Sequence, residues 1–178
     1  MGDSLITIIA IALAAILMFI FPLMTMADRT DDITELTVKT ATTEFVAQIR
    51  TTGKITPDNY NSFLQVITST GNMYDVEIEV KVLDENPGKK TVQVQRDKIG
   101  ENTYYTIYTT QILEKIAPDD GSDGETYNLK EGDIVSVKVK NISQTLAQQL
   151  KNFFYTIVGN DTYTISASDG GIVTATGK

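Results

Sequence analysis

Apolar residues fill almost every position from Leu5 to Met26, LITIIAIALAAILMFIFPLMTM, and only Thr7, Pro22 and Thr25 interrupt the run. At about 1.5 Å per residue a helix of this length extends roughly 33 Å, the hydrocarbon thickness of a bilayer. The pattern then changes instead of stopping. From Asp28 to Thr52 there is no Gly or Pro, and Val38, Ala41, Phe45 and Ile49 fall on one helical face. Ile33 and Leu36 lie nearly opposite that face. The spacing predicts one helix from about Ser4 to Thr52, some 70 Å long, ended by Gly53. Pro22 removes one backbone bond and crowds the Met18 carbonyl, so a kink or local unwinding is expected between Met18 and Pro22.

Beyond Gly53 short elements alternate. Thr56-Pro57-Asp58 is a helix start, and Tyr60, Phe63, Leu64 and Ile67 form its apolar stripe before Gly71. Met73 to Leu83 alternates strictly, with Tyr74, Val76, Ile78, Val80 and Val82 on one face and Asp75, Glu77, Glu79 and Lys81 on the other. Asn86-Pro87-Gly88 is a turn into a strand over Thr91 to Gln95. The run from Tyr104 to Thr110 reads as a strand with a helix after Gln111, although Tyr104, Ile107, Tyr108 and Ile112 also fit a helical stripe. Gly132-Asp133 opens a strand through Val135, Val137 and Val139. Ser143 is placed to cap a helix burying Leu146, Leu150, Phe153, Phe154 and Ile157. Thr162 to Ser168 and Ile172 to Thr176 read as a hairpin around Asp169-Gly170-Gly171. The fold class is therefore α+β: a hydrophobic helix over residues 1–27, its amphipathic continuation over 28–52, and a small antiparallel-sheet and helix head over 53–178.

The 178 residues include no cysteine, histidine or tryptophan. That excludes disulfides, thiolate and imidazole metal sites, histidine-dependent triads and cysteine nucleophiles. Carboxylate pairs, Ser-Lys dyads and lone hydroxyls remain, and no spacing marks one of them. The reading is a structural protein with no catalytic residue, no metal site and no cofactor. Net charge is −8, and the part after Ala27 holds all 15 basic residues against 22 of the 23 acidic ones, which argues against nucleic acid as a partner. Ala117 to Glu125 is an acidic loop in which Asp119, Asp123 and Glu125 faintly resemble a calcium loop. Lys130 stands where such a loop needs its bidentate Glu, so it reads as solvated. Asn141-Ile142-Ser143 and Asn160-Asp161-Thr162 match glycan acceptor triplets. Tyr104, Tyr105, Tyr108, Tyr127 and Tyr163 form either an aromatic patch or ordinary packing.

Three readings compete for the apolar segment: a cleaved signal, a single-pass anchor, or a helix that leaves the membrane to pack in a polymer. Thr25 and Ala27 suit signal cleavage, but a signal peptide wants a basic leader and an apolar run of about 7 to 15 residues. Asp3 is the one charge ahead of this run, so retention is expected. Asp28, Asp31 and Asp32 surround Arg29 after it, and no Lys or Arg precedes it. Charge therefore specifies the orientation only weakly, and it is the short amino-terminal tail that leads to the expectation of Met1 at the cytoplasmic side and everything after Ala27 exported. Leaving lipid requires neighbours that pack more closely than acyl chains. Ala10, Ala12, Ala14 and Ala15 permit the approach, while Leu5, Ile9, Ile16, Met18 and Phe19 supply interlocking bulk. Ile33 and Leu36 add a second face for which a lone tethered domain has no evident use.

A retained apolar helix, an amphipathic continuation and a small α+β head together resemble the type IV pilin superfamily. The strings TPDNYNSFLQVITSTGNMYDVEIEV, Thr56 to Val80, and SQTLAQQLKNFFYTIVGNDTYTISASDGGIV, Ser143 to Val173, are similar to pilin-like proteins of the Tad-type pilus group in Gram-positive bacteria. The resemblance implies a homopolymeric extracellular filament whose subunits wait in the cytoplasmic membrane and are extracted by an assembly platform and an ATPase. The chain departs from the pattern of a basic leader ending in Gly and a Glu at the fifth mature position. Gly2 is the candidate processing point, and cleavage there makes Thr7 the fifth residue. Asp3 is then expected either to pair with the amino terminus of a neighbouring subunit, since a lone charge is costly in an apolar bundle, or to cap the helix near Ser4. Two other classes stay open: a monomeric membrane-anchored binding or accessory domain, and an exported enzyme.

Overall fold

The computed structural model describes residues 2–84, 104–118, 123–143 and 164–178, with the side chains of residues 2, 3, 16 and 27 outside the description. The expected strand over Thr91 to Gln95, the helix after Ser143 and the Asn160 triplet lie outside the described residues.

One helix, α1 (Gly2–Thr52), carries the apolar segment and its amphipathic continuation without a break. Local unwinding near Met18 does not occur, because α1 continues as α-helix through Pro22. A proline deletes one ladder bond and leaves those on either side intact. Thr25 also turns its hydroxyl back onto the Phe21 carbonyl at 3.0 Å. The predicted stripe of Val38, Ala41, Phe45 and Ile49 is buried, and Val46 joins it. The helix ends where the sequence places its end: the Gly53 N–H reaches the Ile49 carbonyl at 2.8 Å, with φ at +66°.

A short strand, β1 (Lys54–Ile55), leads into α2 (Pro57–Thr68). Thr56 caps α2 reciprocally with Asn59: the Asn59 N–H donates to Thr56 Oγ1 at 3.2 Å and the Thr56 N–H to Asn59 Oδ1 at 2.9 Å. Tyr60, Phe63 and Ile67 are the buried face, and Phe63 stacks on Phe45 of α1 with centroids 4.5 Å apart.

The remaining elements are β2 (Tyr74–Leu83), β3 (Tyr104–Tyr108), α3 (Thr109–Ile116), β4 (Tyr127–Asn128), β5 (Ile134–Asn141) and β6 (Ser166–Ile172). β1 pairs with β4, and a four-stranded antiparallel sheet has the order β3-β2-β5-β6. Its inner face, Val76, Ile78, Val80, Val135, Val137, Val139 and Ala167, is buried in one core with α1 and α2. On the outer face Asp75 stands opposite Lys140 and Glu77 opposite Lys138, opposite charges across neighbouring strands.

Two sequence expectations are corrected. The third helix begins at Thr109, not after Gln111. Thr109 Oγ1 accepts from the Ile78 N–H at 2.7 Å and donates to the Ile78 carbonyl at 3.1 Å, which turns the chain out of β3. Gln111 then caps the new helix from its third position, Oε1 accepting from the Tyr108 N–H at 3.1 Å. Asp169-Gly170-Gly171 is not a hairpin turn but the middle of β6. Its glycines have no positive φ and serve close approach instead. A Cβ on Gly170 would lie 2.8 Å from the Val135 carbonyl oxygen, and one on Gly171 2.8 Å from the Arg50 guanidinium.

The end of α1 is locked to the chain terminus. Arg50 Nε donates to the Ile172 carbonyl at 3.0 Å, and the Thr174 N–H donates to the Arg50 carbonyl at 2.9 Å. Asp133, only 2 % exposed, accepts from the Leu83 N–H at 3.1 Å and the Lys130 N–H at 2.8 Å. Asp133→Ala strands both donors, at about 1–3 kcal/mol each, so urea unfolding should show a loss larger than the roughly 1 kcal/mol expected of the cap variant Thr56→Ala. A Cβ on Gly53 would strike the Ala175 carbonyl oxygen, whereas one on Gly71 meets open space at a similarly positive φ. Gly53→Ala should therefore lower the melting temperature clearly more than Gly71→Ala, in which the strained backbone alone costs about 1–3 kcal/mol.

Candidate functional site

A soluble head cannot bury a helix of 51 residues. Its packing on α1 begins at Asp31 and Thr34, the first buried side chains along the helix. Everything described from Ser4 to Thr30 is exposed or half-buried at most. Of the predicted polymer-core residues, Leu5, Ile9, Ala10, Ala12, Ala14, Ala15, Met18 and Phe19 are exposed on this projecting rod. Ile16 and Asp3 belong to α1 by backbone, while their side chains lie outside the description. Lipid or protein has to cover so much apolar surface, and α1 is long and apolar enough to cross a membrane.

The rod and the second face are one surface. Ile33 and Leu36 are 67 % and 65 % exposed, and at about 100° per residue they sit opposite the buried stripe of Val38 to Ile49. Followed toward the amino terminus, their line meets Arg29, Met26, Pro22, Met18, Ala15, Ile11 and Ile8, a strip that only Arg29 interrupts with charge. Helical hydroxyls beside it are turned inward. Thr30 bonds the Met26 carbonyl at 3.0 Å and Thr37 the Ile33 carbonyl at 2.9 Å, so neither presents an unpaired polar group to an apolar neighbour.

The other candidates do not converge. Tyr104 and Tyr108 share the outer face of β3 while Tyr105 points to the other side, so strand alternation splits the tyrosines. Tyr127 is half-buried and Tyr163 lies outside the described residues. Burial pushes the Tyr127 phenol above 10.0, with Tyr105 and Asp133 adding to it, and burial does the same to Tyr60 with help from Asp75. Both are neutral near pH 7. Among the described residues no three acidic side chains gather as a cation site. Asp123 and Glu125 are exposed, and Asp119 is outside the description. The first glycan triplet is closed in the folded head. Asn141 is 6 % exposed and its Oδ1 accepts from the Ser143 N–H and hydroxyl, both at 2.9 Å. A shallow recess of about 390 Å³ on the outer sheet face is lined by Asp75, Glu77, Lys138 and Lys140 with Ser166 and Ser168, two acidic against two basic side chains.

Sequence reasoning missed two features. The Asp133 carboxylate looked like an ordinary strand opener, and the Asn141 triplet concealed that Ile142 is 61 % exposed beside Met73, itself 64 % exposed. Comparison with protein-family models, with curated proteins and with solved structures finds no match to this chain.

Because the rod from Ser4 to Met26 is not covered by the head, a chain starting at Asp28 should stay folded. Circular dichroism should show the thermal transition of the head unchanged, and sedimentation should show a monomer without detergent. Aggregation or loss of the transition would mean that the rod supports the head.

Proposed function

We propose that this chain is the structural subunit, a pilin, of an extracellular helical filament that polymerises through its apolar helix after waiting in the cytoplasmic membrane. One observation carries the reading: the apolar strip of α1 continues past the reach of a bilayer, through Ile33 and Leu36, on the side facing away from the head. A membrane anchor needs only the segment up to Met26, and lipid does not reach Leu36, about 15 Å farther along the helix. Copies of the same helix would cover both parts at once.

In this reading Ala10, Ala12, Ala14 and Ala15 bring neighbouring helices together, and Leu5, Ile9, Ile16, Met18 and Phe19 interlock. Asp3 neutralises the amino terminus of an adjacent subunit. An assembly platform and its ATPase lift the helix out of the membrane. The likeness to Tad-type pilin-like proteins points the same way. A monomeric tethered domain shares the membrane segment but gives the second strip no partner.

Leu36→Asp tests the difference. An uncompensated carboxylate at each helix contact costs roughly 3 kcal/mol or more, about a hundredfold in association. Electron microscopy of the cell surface should show filaments lost, while the variant still fractionates with membranes and its head melts at the same temperature. Filaments at undiminished yield would overturn the assignment.

A further inference from the structure

Arg29 is the one charge on the outward strip of α1, and it stands close to the middle of that strip. At about 100° per residue it lies about 20° from the line of Leu36, with Ile33 about 60° away on the same side. All three side chains are exposed. The acidic residues of this stretch stand at different places round the helix. Asp32 is exposed and about 40° from Leu36 on the other side, whereas Asp28 and Glu35 lie about 80° and 100° round. Asp31 is buried. Asp32 is therefore the carboxylate nearest the strip, and among the described residues neither it nor Arg29 forms an ion pair.

A second copy laid on the strip covers Arg29 together with Ile33 and Leu36. Covering a guanidinium removes its water, and only an opposite charge with good hydrogen bonds offsets that loss. Copies that enter one membrane in the same sense are parallel. When two such copies stand level, Arg29 faces Arg29 along the line where the helices meet, and like charges repel. Sliding one copy by three residues, about 4.5 Å along the axis, sets its Asp32 level with Arg29 of the other. The guanidinium then meets a carboxylate whose geometry matches its planar fork.

We propose that Arg29 of one copy pairs with Asp32 of the next and fixes the axial register between them. This rests on the reading of the chain as a filament subunit. The occupant of the strip is a second copy of this chain, because every copy carries both halves of the charge pair at its edge. A contact in which each copy offers Arg29 to one neighbour and Asp32 to another is heterologous. Repeating it with a constant axial shift builds an open polymer, not a closed pair.

The test reverses each charge in the full chain, in the cells that make it, and counts surface filaments by electron microscopy. Arg29→Glu brings two carboxylates together and Asp32→Arg two guanidinium groups, so each alone should lower filament number roughly tenfold or more. Making the two variant chains in one cell should restore filaments. The carboxylate placed at position 29 of one chain then meets the guanidinium placed at position 32 of the other. A pair formed within a single helix, three residues apart, gains nothing from such mixing, since each chain stays mismatched. Lys39→Glu, an exposed charge farther from the strip's centre, should change filament number by less than about twofold.

Filaments undiminished in either single variant, with Leu36→Asp still removing them, would overturn the pair and leave the filament reading intact. Failure of the mixed chains to restore filaments would overturn it as well, and so would an equal loss from Lys39→Glu. No filaments from the unaltered chain would overturn the filament reading and this pair together.

Discussion

The packing of α1 against the head governs everything else, because the helix is far longer than the surface that receives it. Val38, Phe45, Val46 and Ile49 are buried under the sheet and α2. That burial orders the amphipathic half of the helix and, with it, the direction in which the apolar half projects. The hydrophobic effect is indifferent to which apolar partner does the covering. One face of the helix is satisfied within the chain, and the other is left for lipid or for further copies.

The carboxyl end of α1 is fastened to the head by hydrogen bonds to backbone groups. Gly53 lets the chain turn against the C-terminal tail where any Cβ would collide, and Arg50 bonds the end of β6 through its side chain and the tail through its carbonyl. Asp133 ties the end of β2 to the turn before β5. These hydrogen bonds to backbone groups gather at the end of α1 farthest from the rod. Nearer the rod, Asp31, Thr34 and Val38 of α1 are buried.

Much of this was legible in the sequence where local rules and burial agree. The α1 stripe, the Thr56 cap and the alternation of β2 were read correctly because periodicity and capping are local properties of consecutive residues. The reading failed at Asp169-Gly170-Gly171. Two adjacent glycines signal a turn in any local scheme, but here the backbone of the neighbouring strand crowds Gly170, and the Arg50 guanidinium lies against Gly171. It also slipped at Thr109, whose hydroxyl bonds Ile78, a residue 31 positions earlier, and so moves a helix start.

The sequence by itself determined that a long apolar helix leads an α+β head and that this helix carries apolar residues on two opposed sides, since both follow from residue spacing alone. Only the tertiary structure decided that β6 runs straight through Asp169-Gly170-Gly171, that α3 starts at Thr109, and that Asn141 is closed while Ile142 is open. Those depend on contacts between residues far apart in the chain, and such contacts leave no periodic trace in the sequence.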